Sequence, residues 1–208
     1  MAKSKTARKR ESRDRGSVAW GGPAKPRDRR WNYVILGAVA LGLGYGLYAW
    51  LDSAGTEGDL LALAEQGQAA LQRVEAIPSA GGGHLSPGQT YRYPDRFPTS
   101  GRHDPTPTPP GVYREAQRPT QLVHALEHGN IVIYYDKPGD PVMDRLGRWA
   151  ALYDGPWSGL VLTPDPGLGQ AIVLTAWAKR LELNPFDPAA AAAFIDAYRG
   201  RGPERPVR

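Results

Sequence analysis

The sequence predicts an α/β domain, with α+β as the alternative, joined to a single N-terminal membrane-spanning helix. Three observations predict it. An uncharged apolar run, WNYVILGAVALGLGYGLYAWL, fills 31–51. Beyond residue 119, short runs rich in β-branched and aromatic residues alternate with stretches of helical periodicity. Between the two lies a segment, 78–113, with eight Pro and six Gly in 36 residues, too interrupted for any regular element.

Taken in order, the chain opens on a leader, 1–30, with 11 basic and 3 acidic residues. The apolar run that follows is long enough, at about 1.5 Å per residue, to cross the roughly 30 Å hydrocarbon core of a bilayer. Its ends carry Trp31, Tyr33, Tyr45, Tyr48 and Trp50, aromatic residues that favour the headgroup level. Basic residues stay on the cytoplasmic side, so the expected topology is N-terminus in, with 52–208 outside the cytoplasm and the protein in the inner membrane. A cleaved signal peptide fits poorly, because Leu51-Asp52-Ser53-Ala54 lacks the small-residue pattern of a cleavage site. Arg29-Arg30 is a fragment of a twin-arginine signal, not the whole pattern. Gly42 and Gly46 form a G-x-x-x-G that can pair two membrane helices, one route to self-association.

The overall charge of +5 sits entirely in that leader. Residues 52–208 hold 15 basic and 18 acidic side chains, which gives the exported part no nucleic-acid footprint. It has no cysteine, so no disulfide framework and no thiolate chemistry. Leu60, Leu61, Leu63, Leu71, Val74 and Ile77 form a stripe that predicts a helical stalk over 52–77, ended by Pro78. The Pro/Gly segment carries Tyr91, Tyr93, Phe97 and Tyr113, which a solvated linker lacks, so it is expected to be an ordered loop on the domain.

Pro119-Thr120 starts a short helix, TQLVHALEH, that Gly129 stops. NIVIYYD, 130–136, reads as a buried strand. Pro141 starts a helix over 142–153 with Val142, Leu146, Trp149, Ala150 and Tyr153 on one face. GLVLT, 159–163, and AIVLTAW, 171–177, are a second and third strand, and the turn PDPGLGQ between them suggests that they pair antiparallel. Asp187-Pro188 caps a last helix that ends at Gly200. The expected domain, 78–204, is thus a small three-stranded sheet flanked by helices, followed by a short tail, 205–208.

All four histidines lie within 84–128. His124 and His128 stand four apart on the short helix, so both imidazoles share one face. Loop residues His84 and His103 can complete a nitrogen site for a transition metal, copper or zinc. Met143 is a conceivable soft ligand that would favour copper. The plainer reading leaves the histidines as hydrogen-bonding residues that stitch the loop to the helix of a structural subunit. His124-Ala-Leu-Glu127-His128 also spells H-x-x-E-H, the inverted zinc-peptidase motif with Glu127 acting on water. That class needs a further downstream Glu; Glu204 is far enough along but lies in a Pro/Arg-rich tail expected to fray. GGGH, 81–84, lacks the Gly-Lys-Ser/Thr ending of a phosphate loop. Asp95, Asp104 and Asp136 read as turn and strand-end residues. Ligand imidazoles must be neutral, so metal binding is expected to weaken as pH falls through about 6.5.

Four stretches together are distinctive: GGHLSPGQTYRYP (82–94), FPTSGRHDPTPTPPGVY (97–113), LVHALEHGNIVIYYD (122–136) and FIDAYRGRGPE (194–204). They resemble a bacterial family known as domain of unknown function 3105. The resemblance implies a single-pass or exported protein and a shared four-histidine centre at His84, His103, His124 and His128, without implying which metal. The expected function is metal handling or assembly of a membrane complex, with lipid and such a complex as partners.

Overall fold

The structure, a computed structural model, describes residues 29–208, with side chains from Trp31 onward. The rest of the basic leader lies outside the described residues. The chain divides into two units, Met1–Tyr45 and Gly46–Arg208.

Helix α1, Arg29–Gln66, runs for 38 residues, or roughly 57 Å at about 1.5 Å per residue. It is one helix long and apolar enough to cross a membrane, near the N-terminus. In the first unit its side chains, among them Val34, Ile35, Leu36, Val39, Leu41 and Leu43, are exposed. In the second unit the same helix ends by burying Leu60 and Ala64 in the domain core. The predicted stalk is therefore the last part of α1, and it stops earlier than Pro78. At Gly67 the first turn of the final helix packs so closely that the backbone of Ala189 occupies the place of any Cβ. A short 3₁₀ helix, η1, Gln68–Arg73, follows.

The remaining elements are β1 (Glu75–Ala76), β2 (Gly111–Val112), α2 (Pro119–Glu127), β3 (Ile131–Tyr135), α3 (Asp140–Leu152), β4 (Leu160–Pro164), β5 (Ile172–Ala176), β6 (Lys179–Leu183) and α4 (Pro188–Tyr198). The mixed helix-and-sheet class is as predicted, but the sheet has six strands, not three, in the order β1-β6-β5-β3-β4-β2. The two edge strands are only two residues long, below what periodicity can detect. Strand β6, KRLEL, is charged on one face and buries Leu181 and Leu183 on the other.

The predicted β4–β5 pairing does not occur. β3 lies between them, parallel to β4 and antiparallel to β5. The intervening turn arches over the end of β3: Asp165 N–H donates to the Tyr135 carbonyl and Lys137 N–H to that of Gly169. The Asp136 carboxylate accepts from Gly167 and Gly169 N–H. β5 instead pairs with β6 across the two-residue turn Trp177-Ala178.

Alternation along the strands sends side chains to two cores. Ile131, Ile133, Leu160, Leu162, Ile172 and Leu174 meet α3, α4 and the end of α1. Val132, Tyr134, Val161 and Val173 meet Leu122, Ala125 and Leu126 of α2 and Phe97 of the loop. Helix α2 and the Pro/Gly loop thus cover one face of the sheet, and the histidines lie on this side. α4 begins as predicted, with the Asp187 carboxylate accepting from Ala190 N–H at 3.1 Å.

Candidate metal centre

The Pro/Gly segment is ordered by pairing with itself. Its two arms run parallel where Leu85 N–H donates to the His103 carbonyl (2.7 Å) and His103 N–H to that of Gly83 (3.1 Å). This bridge sets His84 beside His103. Two further bonds dock the loop on α2: Asp104 N–H to the Thr120 carbonyl and Thr108 N–H to that of Gln121. The Asp104 carboxylate also accepts from Thr120 Oγ1 at 2.8 Å and pairs with Arg118 at 3.1 Å. Apolar packing of Phe97 against Tyr134 and an Arg96–Asp165 pair fix the far side of the loop.

The four predicted histidines come together. Ring centroids are 5.3 Å apart for His84–His103, 4.9 Å for His84–His124, 4.8 Å for His103–His124 and 4.6 Å for His124–His128. His103 is fully buried, His124 is 3% exposed, and His84 is exposed on its loop. The Nδ1–carbonyl contacts repeat a pattern. Nδ1 of His103 donates to the Gly101 carbonyl (2.8 Å), Nδ1 of His124 to that of Asp104 (2.7 Å), and Nδ1 of His128 to that of Pro156 (3.3 Å). A carbonyl only accepts, so a proton is on Nδ1 in each ring, and in the neutral form of the ring the lone pair is on Nε2. Metal-ligating histidines are oriented and tautomer-locked in this way.

Glu127 is the fourth member of the first group. Its Oε2 lies 3.0 Å from His103 Nε2, yet that buried nitrogen makes no hydrogen bond. Two lone-pair donors at this separation fit adjacent corners of a tetrahedron, about 3.3 Å apart when metal–ligand bonds are about 2.0–2.1 Å. One potential ligand atom each from His84, His103, His124 and Glu127 falls within 4.8 Å of all the others.

A second group shares His124: it joins His128 and Glu204, again within 4.8 Å of one another. Glu204 Oε2 is 3.1 Å from His128 Nε2 and 4.0 Å from His124 Nε2. The tail expected to fray is instead pinned here. Gly202 lies against the carbonyl of Glu127 and the N–H of Gly129, with no room for a Cβ. Gly129 adopts φ +96, the left-handed conformation that ends α2 and admits this approach. Glu204 N–H then donates to the Glu127 carbonyl at 3.3 Å. Trp157 stacks on His128 at 4.0 Å.

Burial pushes the His124 imidazole down to about 4; the facing His128, His103 and His84 act in the same direction, and the Asp104 carbonyl opposes them. His124 therefore stays neutral well below the pH of about 6.5 expected for a free imidazole. Met143 packs into the opposite core, against the α3–α4 side of the sheet, and is no ligand. Asp95 pairs with Arg180 and Asp136 caps the turn, the minor roles expected of them. Asp104 does more, since its carbonyl sets the His124 tautomer.

The sequence of residues 84–208, more than half of the chain, matches the family described as protein of unknown function (DUF3105). The chain belongs to the DUF3105 family. The match begins at His84 itself, so every residue of both groups lies inside the DUF3105 region, whereas α1 precedes it. No curated protein and no solved structure matches this DUF3105 chain.

Proposed function

We propose that this DUF3105 domain binds one transition metal ion, zinc or copper(II), through His84, His103, His124 and Glu127, with His128 alongside. Its role would be metal handling or metal-dependent assembly of a membrane complex, on the extracytoplasmic side of the inner membrane. The observation that carries the reading is the buried Nε2 of His103. It lacks a hydrogen bond, it faces a carboxylate at 3.0 Å, and its Nδ1 is fixed by a carbonyl. A buried polar atom without a partner costs about 1–3 kcal/mol, and a cation between nitrogen and carboxylate removes that cost. An all-nitrogen and oxygen donor set, with Met143 elsewhere, suits zinc or copper(II) over copper(I). The basic leader before α1 supports the N-in orientation.

Elemental analysis of the full-length chain in detergent tests this. One equivalent of metal is expected, lost in a His103→Ala/His124→Ala variant. Metal-free protein that takes up neither zinc nor copper(II) refutes it, and leaves the histidines as stitching between loop and helix.

The hydrolase reading has one observation in its favour, the arrival of Glu204 at His124 and His128. It has another against it. The Glu127 carboxylate is covered by the loop, Gly82 lying so near that a Cβ there would be 2.6 Å from Oε1. A base acting on water at a bound peptide needs that space open, and the metal-handling reading does not.

A further inference from the structure

The two groups share one residue, His124. His124 Nδ1 is held by the Asp104 carbonyl, so only its Nε2 can bind metal, and that nitrogen has one lone pair. His124 therefore serves one ion at a time. The groups also differ in kind. The first offers four protein ligands, two of them histidines almost wholly buried, and can close a tetrahedral shell. The second offers three, which leaves a coordination position open to an incoming ligand. Its carboxylate is Glu204, with a side chain 43% exposed.

We propose that the second group is an exchange seat: an ion resting in the four-ligand seat leaves, and is loaded, by swinging about His124 onto His128 and Glu204. This rests on the metal-binding reading above. Keeping the His124 bond throughout means the ion is never fully stripped, whereas direct escape from the first seat past the exposed His84 must break four bonds, two of them to buried histidines. The open position of the second seat admits a nitrogen, oxygen or sulfur ligand from an acceptor, and the exposure of Glu204 puts that position at the surface. Two features hold the seat in place, the stacking of Trp157 on His128 and the Gly129–Gly202 contact that brings the tail to α2.

The sign of one rate separates this from a fixed site. Full-length protein in detergent is loaded with one equivalent of cobalt(II), and release to excess EDTA is followed by the loss of cobalt absorption. Glu204→Gln and His128→Ala are expected to hold one cobalt and to release it about tenfold more slowly or slower still, since the remaining route crosses a higher barrier. If Glu204 and His128 were ordinary ligands of a single static centre, both variants would release faster, and that result overturns the proposal. Release at the wild-type rate overturns it too, as do two cobalt ions retained per wild-type chain when cobalt is supplied in excess. Failure of the wild type to take up any cobalt overturns the metal-binding reading itself, which is a distinct outcome.

Discussion

Acidification of the metal-free protein isolates His124. In the folded domain its imidazole is held down to about 4, by burial first, against 6.5 for the free group. Between these values the unfolded chain binds a proton that the folded chain does not, so stability rises with pH there and is lost as pH falls from about 6.5 to about 4. At about 1.4 kcal/mol per pH unit, the full span is worth roughly 3 kcal/mol. For a domain of this size that lowers the midpoint of thermal unfolding by on the order of 10 °C. The assay is thermal unfolding of chelator-treated, full-length protein in detergent between pH 7.5 and 4, read by tryptophan fluorescence, for the wild type and for His124→Gln. Glutamine does not titrate, so the variant should lose a shallower fraction of its stability over this range. Equal pH slopes in the two proteins would refute the argument, because the burial that depresses His124 would then have no thermodynamic counterpart.

Three other outcomes follow from the same geometry. Asp104→Ala keeps the carbonyl that His124 Nδ1 bonds but removes the carboxylate that ties Arg118 and Thr120, at the start of α2, to the loop. It is expected to weaken zinc binding by no more than about tenfold in a competition titration, the low end for partners that orient metal ligands. Gly202→Ala places a Cβ on the backbone of Glu127 and Gly129; it should cost about 1–3 kcal/mol in thermal unfolding and expose the tail after it to carboxypeptidase. Chelation should sensitise only part of the Pro/Gly loop to a broad-specificity protease. Cuts are expected around 79–90, where His84 is exposed, and not around 95–103, where Phe97, Asp95 and Arg96 tie the chain to the sheet.

The extent to which this architecture can be read from the chain depends on where its information lies. Helices α2, α3 and α4 and the three central strands announce themselves through Pro and Gly boundaries and continuous apolar runs. Strands β1 and β2 consist of two residues each and exist only because β6 and β4 offer an edge, so no local pattern marks them. A seven-residue Pro/Gly turn between β4 and β5 has the pattern of a hairpin, and only the tertiary position of β3 forbids that pairing. His124 and His128 are legible from helical spacing, and His84 and His103 from their placement in one loop. The tail carries no periodicity, so Glu204 reads as frayed; what pins it is the backbone contact of Gly200 and Gly202 with Gly129, which only the folded chain brings together. The role of the Asp104 carbonyl has no side-chain signature at all.

The two shortest strands also bear on how safely such a sheet can be kept in solution. IVIYY, LVLT and IVLTA are the kind of segment that adds onto another copy edge to edge when left uncovered. Here each lies between neighbours, and the outermost positions go to strands too brief to template a further one, β1 carrying the charge of Glu75 and β2 opening on a glycine. The adhesive stretches are sealed inward, and the ladder ends where polymerisation would have to begin.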